Sequence, residues 1–390
     1  MSANTGKLKV AMIGASWSVA AHLPAWRALR DEVEVVGIMT SRQETAVAAA
    51  RANGIERPYW DIDALCAETD IDIVDVGTQP RSRQTLVEAV IASGKHCFCG
   101  MPFATDAEWS GRLLDGQRRA GVVGMVDATI QATPAVLRMK ELIDDGAIGE
   151  VWFAQSSFNQ QLFNHPPAQW PYMWFAEEGS GASALRNLGA HALHPMVHML
   201  GPIAEVVGEN ARFLDRWRFA DGREVTPRTP DTAAALLRFE NGALASLMTS
   251  WVAADAAGWS LEAHGSKGRL LAQGAPFPTA ETTRLYHGPA SASYVPIGAW
   301  IDIPERLKVL PGSLLDPAHP DQAAAAGRRR GPQDLVMGRM FRDLLDSIRS
   351  GSPARPSFAQ AHHVQQVVEA ICRSDETRRW EPVASDQIRQ

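Results

Sequence analysis

Four stretches of this 390-residue chain carry side chains whose types and spacing suit chemistry. The first is "IGASWSVAAHLPAW", residues 13–26, where an apolar run ends at Gly14 and leads into helical spacing. A turn of this kind offers backbone N–H groups and a positive helix end to a dinucleotide's pyrophosphate. Of the three fingerprint glycines only Gly14 is present, with Ser16 and Val19 at the other two places. The Ser16 and Ser18 hydroxyls, flanking Trp17, supply donors in their stead. The second stretch, "MTSRQETA", follows the next apolar run. A carboxylate there would accept hydrogen bonds from a free ribose diol, but Thr40, Ser41 and Arg42 stand at the tip. An arginine beside hydroxyls suits a 2′-phosphate instead, so the pattern favours NADP, with NAD as the alternative.

The third stretch, "HALHPMVH", sets His191, His194 and His198 within two helical turns. An imidazole titrates near neutral pH and can both take and give a proton. A metal is not expected, because Pro195 disturbs the register and no neighbouring carboxylate completes a ligand set. The fourth, "NHPPAQWPYMWF", groups His165 with Trp170, Tyr172 and Trp174 as a substrate-side loop. Such rings can stack on a sugar or aromatic ring, and packing accounts for each equally well. A further stretch, "GKHCFCGMPFA", ends an apolar run in Gly100-Met101-Pro102 with no ionisable side chain at 100 or 101. Cys97 and Cys99 alternate within it and share one face as small apolar fillers.

These residues need a frame. Apolar runs at 9–14, 33–39, 71–77, 95–100 and 122–127 alternate with helical patterns such as 42–53 and 83–93, which stop at Gly54 and Gly94. That alternation predicts a doubly wound parallel sheet over residues 1–130. From about Gly149 the runs lengthen and alternate, with Asn241-Gly242 as a hairpin turn, so a second domain over 131–390 is read as a mostly antiparallel sheet. A Pro-, Gly-, Ala- and Arg-rich segment, about 311–332, reads as a long mobile loop before C-terminal helices.

Bulk properties exclude other classes. With 45% apolar and 21% charged residues the chain is an ordinary two-domain globule. A net charge of −6 offers no basic face to nucleic acid. No apolar run is long enough to span a bilayer, and no secretion signal is seen. Four irregularly spaced cysteines fit a reducing cytoplasm rather than a disulfide framework.

Taken in order, "IGASWSVAAHLPAWRAL", "DIDALCAETDIDIVDVGTQP", "LVEAVIASGKHCFCGMPFA", "TPAVLRMKELIDDGAIGEV", "GSGASALRNLGAHALHPMVHMLG", "DTAAALLRFENGALASL" and "LEAHGSKGRL" resemble the Gfo/Idh/MocA family over nearly the whole length. The resemblance implies an N-terminal Rossmann domain and a C-terminal α/β domain whose large open sheet packs between subunits, hence a homodimer or homotetramer. It implies hydride transfer between a nicotinamide and a secondary alcohol or ketone of a sugar, cyclitol or dihydrodiol. It places Thr78, Gln79, Pro80, Gly100 and Met101 with the cofactor, and Gln131 and His194 with the substrate. The family's Glu-Lys-Pro reads Gly100-Met101-Pro102 here, its aspartate is Asn187 ahead of the matching His191, and an expected histidine is Arg83. The reading is therefore an NADP-preferring oxidoreductase with Met101 in place of the lysine, and with His191 and Asn187 as the catalytic pair. A non-catalytic dinucleotide sensor, or a lyase or hydrolase without net redox, is the alternative.

Overall fold

The structure, a computed structural model, describes residues 6–292, 294–327, 331 and 333–384. Two compact units emerge, and the chain passes between them more than once. The first comprises the residues up to Phe103, Gly111–Thr129 and Lys308–Phe358; the second comprises Ala104–Ser110, Ile130–Leu307 and the residues after Phe358.

In the first unit the short apolar runs become β1 (Leu8–Ile13), β2 (Val33–Met39), β3 (Arg57–Tyr59), β4 (Ile73–Val76), β5 (His96–Cys99) and β6 (Gly124–Val126). They form one parallel sheet in the order β3-β2-β1-β4-β5-β6. The winding reverses at β1, so the connections leaving β1 and β4 diverge and open a crevice at the carboxyl ends of those strands. Helices α1 (Leu23–Ala28), α2 (Gln43–Asn53), α3 (Ile62–Ala67), α4 (Pro80–Ala92) and α5 (Ala107–Ala120) alternate with the strands. Every residue of β4 is buried, including one acid, Asp75. β3 has only three residues and no apolar run of its own; it is recruited by pairing with β2 and by the Arg57–Asp70 ion pair.

The second unit is built on α6 (Pro134–Asp144), α7 (Ala190–Leu200) and a nine-stranded sheet. Its strands are β7 (Val151–Asn159), β8 (Ile203–Ala211), β11 (Thr232–Phe239), β12 (Leu244–Ser250), β13 (Gly258–Gly265), β14 (Gly268–Gly274), β15 (Arg284–Pro289), β16 (Ala299–Ile301) and β17 (Glu381–Pro382), with β9 (Trp217–Arg218) and β10 (Glu224–Val225) forming a separate ribbon. All neighbours are antiparallel except β12 and β7. Asn241 turns the β11–β12 hairpin, its Oδ1 accepting from the Ala243 N–H at 3.0 Å. One face packs against α7 through β7 and β13, and the Thr249 hydroxyl donates across to the Phe158 carbonyl at 3.1 Å. On the other face Phe153, Leu236, Leu244 and Met248 are exposed. Register puts Phe153 opposite Leu244, and Ala234 opposite Met248, so these side chains line one surface.

Residues 308–358 return to the first unit, whereas the sequence boundary had placed them in the second domain. The reason is the apolar stripe Val336, Met337, Met340, Phe341 and Leu344 on α9 (Asp334–Ser350), which must be covered. Phe341 stacks on Trp26 with ring centroids 3.7 Å apart. The segment expected as a long loop is tied down ahead of α8 (Gln322–Gly327): the Leu314 N–H donates to the Ala28 carbonyl, and His319 pairs with Asp31 at 2.9 Å. Residues 328–330 and 332 of that expected loop lie outside the described residues. The last helix, α10 (Phe358–Thr377), closes the second unit. Among the described residues no helix is long and apolar enough to cross a membrane.

Candidate functional site

At the carboxyl end of β1, Gly14 has φ of 110°, and a Cβ there would stand 3.0 Å from the Gly77 carbonyl oxygen at the end of β4. A Cβ on Gly77 would lie 2.6 Å from the Ser18 Cβ. The two strand ends thus meet backbone to backbone, in a close approach that a side chain at either glycine would block. A wide π turn, Ser18–His22, carries the chain from here into α1. Ala15, Ser16 and Trp17, just ahead of that turn, are exposed, whereas Ser18 is fully buried and its hydroxyl donates to the Gly14 carbonyl at 2.8 Å. Of the two serines expected to meet phosphate, only Ser16 faces outward.

At the end of β2, the Thr40 hydroxyl pairs with Thr45 at 2.6 Å and donates to the Arg42 carbonyl, shaping a tip on which Ser41 and Arg42 are exposed. At the end of β4, Thr78 and Gln79 lead into α4, with Pro80 in its first turn. The Thr78 Oγ1 is buried and has no partner among the described residues. Gly100 and Met101 follow β5; Gly100 is buried, Met101 is half-buried, and the Met101–Pro102 peptide is cis. The Arg83 guanidinium lies beneath both ends and donates to the carbonyls of Thr78, Gly100 and Pro102.

Below this surface sits a charged cluster that the sequence reading missed. His22 Nδ1 lies 3.0 Å from both carboxylate oxygens of Asp75, and its Nε2 lies 3.3 Å from Asp127. The Trp26 indole N–H donates to Asp75 at 2.9 Å. Burial opposes a charge on His22, but the Asp75 and Asp127 carboxylates override it and raise the pKa to about 10. The available signal was an aspartate inside an otherwise apolar strand run, "IDIVDVG". Cys97 and Cys99 are both buried and free, and burial pushes both thiols up, that of Cys99 to about 11.

In the second unit a further π turn, Leu185–Gly189, delivers α7 with His191 in its first turn, half-buried. π turns are rare and recur at functional positions. Asn187, within the turn, accepts from the Ser183 N–H through Oδ1 at 3.2 Å, so it anchors the start of the element that carries His191. Arg186 braces the same turn, donating to the Thr105 carbonyl and pairing with Glu369 at 2.8 Å. Gln131 and His194, expected at the substrate, lie in the interior at 3% and 0% exposure. Gln360 of α10 joins them, donating to Gln131 Oε1 at 2.7 Å and lying 3.0 Å from His194 Nδ1. Burial, with His191, His198 and His363 nearby, pushes His194 down to about 3, so it is a neutral imidazole. The aromatic loop packs largely on itself: Phe163 stacks on Trp217 at 3.8 Å, Phe175 stacks on Trp251 at 5.2 Å, and Tyr172 meets both Trp170 and Phe175. Tyr172 and Trp174 remain partly open and His165 is exposed. No cluster of His, Cys, Asp or Glu suited to a metal ion occurs among the described residues.

Comparison with known proteins bears on both units. Residues 8–128 match a family described as oxidoreductase, NAD-binding Rossmann fold, and residues 136–271 match the GFO/IDH/MocA C-terminal domain. The levoglucosan dehydrogenase of Pseudarthrobacter phenanthrenivorans is 25% identical, across 96% of this chain and 97% of its own. A D-apiose dehydrogenase of Paraburkholderia graminis is 30% identical over 53% of each chain. Among solved structures, a levoglucosan dehydrogenase in complex with NADH superposes with a TM-score of 0.84 at 22% identity, covering 97% of this chain and 100% of that one. An NAD-binding oxidoreductase from Klebsiella pneumoniae gives 0.84 at 25% identity, covering 98% and 100%.

Proposed function

The chain belongs to the Gfo/Idh/MocA family of oxidoreductases, and from that premise we propose that it transfers a hydride between NADP and a secondary alcohol or ketone of a sugar, cyclitol or carbocyclic dihydrodiol. The observation that carries the reading is the close Gly14–Gly77 approach at the point where the first sheet reverses its winding, the place at which a doubly wound sheet takes up a dinucleotide's phosphates. Ser16, on the exposed turn with Trp17, donates to those phosphates. Ser41 and Arg42, at a strand tip where residues 40–43 hold no carboxylate, meet the 2′-phosphate and favour NADP over NAD. Thr78, Gln79, Pro80, Gly100 and Met101 form the surface for the nicotinamide half. When bound, the cofactor supplies the hydride acceptor or donor.

The proton is the chain's own task. Met101 neither gives nor takes one, whereas the His191 imidazole serves as base for alcohol oxidation and as acid for the reverse. Asn187 fixes the turn that presents His191. Gln131, linked through Gln360 to His194 of that helix, backs it from the interior, while His165, Tyr172 and Trp174 supply polar and ring surface to the substrate. The open face of the second sheet supports a homodimer or homotetramer.

The test combines calorimetry with a spectrophotometric panel of sugars, cyclitols and dihydrodiols. NADPH should bind more tightly than NADH, and His191→Ala should cut turnover by at least 100-fold while leaving cofactor affinity within about threefold. Absence of dinucleotide binding would sink the proposal. The second reading, a dinucleotide-binding sensor, is favoured by Met101 at the place of the family lysine; it predicts binding without turnover and no effect of His191→Ala.

A further inference from the structure

Building on the dinucleotide reading above, we infer that Arg83 is a positioning residue for the nicotinamide half of the cofactor, and that Gly100 is what makes room for it. The guanidinium is 3% exposed and spends its donors on three backbone carbonyls, those of Thr78 after β4 and of Gly100 and Pro102 after β5. Carbonyls at a strand's end have left the sheet ladder and need other donors. One rigid planar fork supplies them at two neighbouring strand ends, which is more than an ammonium on a flexible stem can do from a single point.

The space for this arrangement is set by position 100. A Cβ on Gly100 would stand 3.0 Å from Arg83 Nη2 and 3.3 Å from its Cζ, with the Val76 carbonyl oxygen at 3.5 Å. A side chain at 100 therefore presses on the fork, which must give by a few tenths of an ångström. Two further atoms show that this corner is polar and incompletely satisfied: the Arg83 Nε and the Thr78 Oγ1 are both buried with no partner among the described residues. Since the β1 turn serves the pyrophosphate and the β2 tip the adenosine ribose, the ends of β4 and β5 are left for the nicotinamide. Arg83 touches the backbone of that surface without forming the surface itself.

The role separates from simple stabilisation by a comparison of ligands. NADPH and NADH are titrated calorimetrically into the full chain beside 2′-phospho-ADP-ribose and ADP-ribose, which share every feature except the nicotinamide. Gly100→Ala should weaken both reduced dinucleotides by at least tenfold and leave both fragments within twofold. Arg83→Met should do the same, and Arg83→Lys should not recover the loss. The Arg83→Met/Gly100→Ala double variant should be no weaker than Arg83→Met alone, because the added methyl then meets no guanidinium. Equal weakening of dinucleotides and fragments by Gly100→Ala, or no weakening of either, overturns the inference; that variant decides alone if the Arg83 variants fail to fold. A wild-type chain that binds neither dinucleotide nor fragment overturns both this inference and the function it rests on, whereas intact binding with an inert Gly100→Ala overturns this inference only.

Discussion

His22 is a charged group in an interior that would ordinarily neutralise it. Two carboxylates, Asp75 and Asp127, hold the proton, and edge-on rings of Phe98 and Phe341 close the remaining sides. The folded-state pKa of about 10 lies above the unfolded value of 6.5, so the folded chain keeps a proton that the unfolded chain sheds. The resulting stabilisation is fully present below pH 6.5 and is lost as the pH rises through 10, at up to about 1.4 kcal/mol per pH unit. Urea unfolding at pH 7, 8 and 9 should therefore show a steeper fall for the wild type than for His22→Gln, and parallel profiles would refute the assignment. Residue types alone singled out Gly14, Ser16, Arg42 and His191, which are exposed or half-buried at strand ends and at the start of α7. Ser18, Gln131 and His194 could not be placed in advance, because a hydroxyl, an amide or an imidazole looks the same in sequence whether it serves a ligand or a buried carbonyl.

Among the elements, α9 matters most to the nucleotide end although it is far from it in sequence. Phe341 stacks on Trp26, whose indole N–H is held by Asp75, so the aromatic pair and the charged cluster share one packing problem. Phe341→Ala should cost about 3–5 kcal/mol in denaturant unfolding, as expected when a fully buried aromatic ring is removed; a loss below about 1 kcal/mol would mean that α9 is dispensable to the unit. Local patterning revealed both sheets, since β2 and the β11–β12 hairpin follow directly from β-branched runs and Asn241-Gly242. Two features escaped it for a common reason. β3 and the docking of residues 308–358 are decided by partners distant in the chain, Gly37 to Met39 in one case and Ala28 and Trp26 in the other, and no window of sequence contains both halves of either contact.

For the molecule as a whole, the open face of the nine-stranded sheet is the feature most in need of cover. Phe153, Leu236, Leu244 and Met248 lie exposed on adjoining strands of one surface, an arrangement that a lone chain in water does not favour. Light scattering should report a dimer or larger, and Leu236→Arg together with Met248→Glu should release monomers; a monomeric wild type would refute the proposed assembly. The return of residues 308–358 to the first unit has its own outcome during synthesis. A ribosome that has released the nucleotide-binding strands has not yet made the helix that roofs Trp26, so about two hundred further residues must emerge before the half-built domain can close. Until then its aromatic floor is a natural target for chaperones, and completion of the cofactor-binding half becomes one of the last events in the maturation of the chain rather than one of the first.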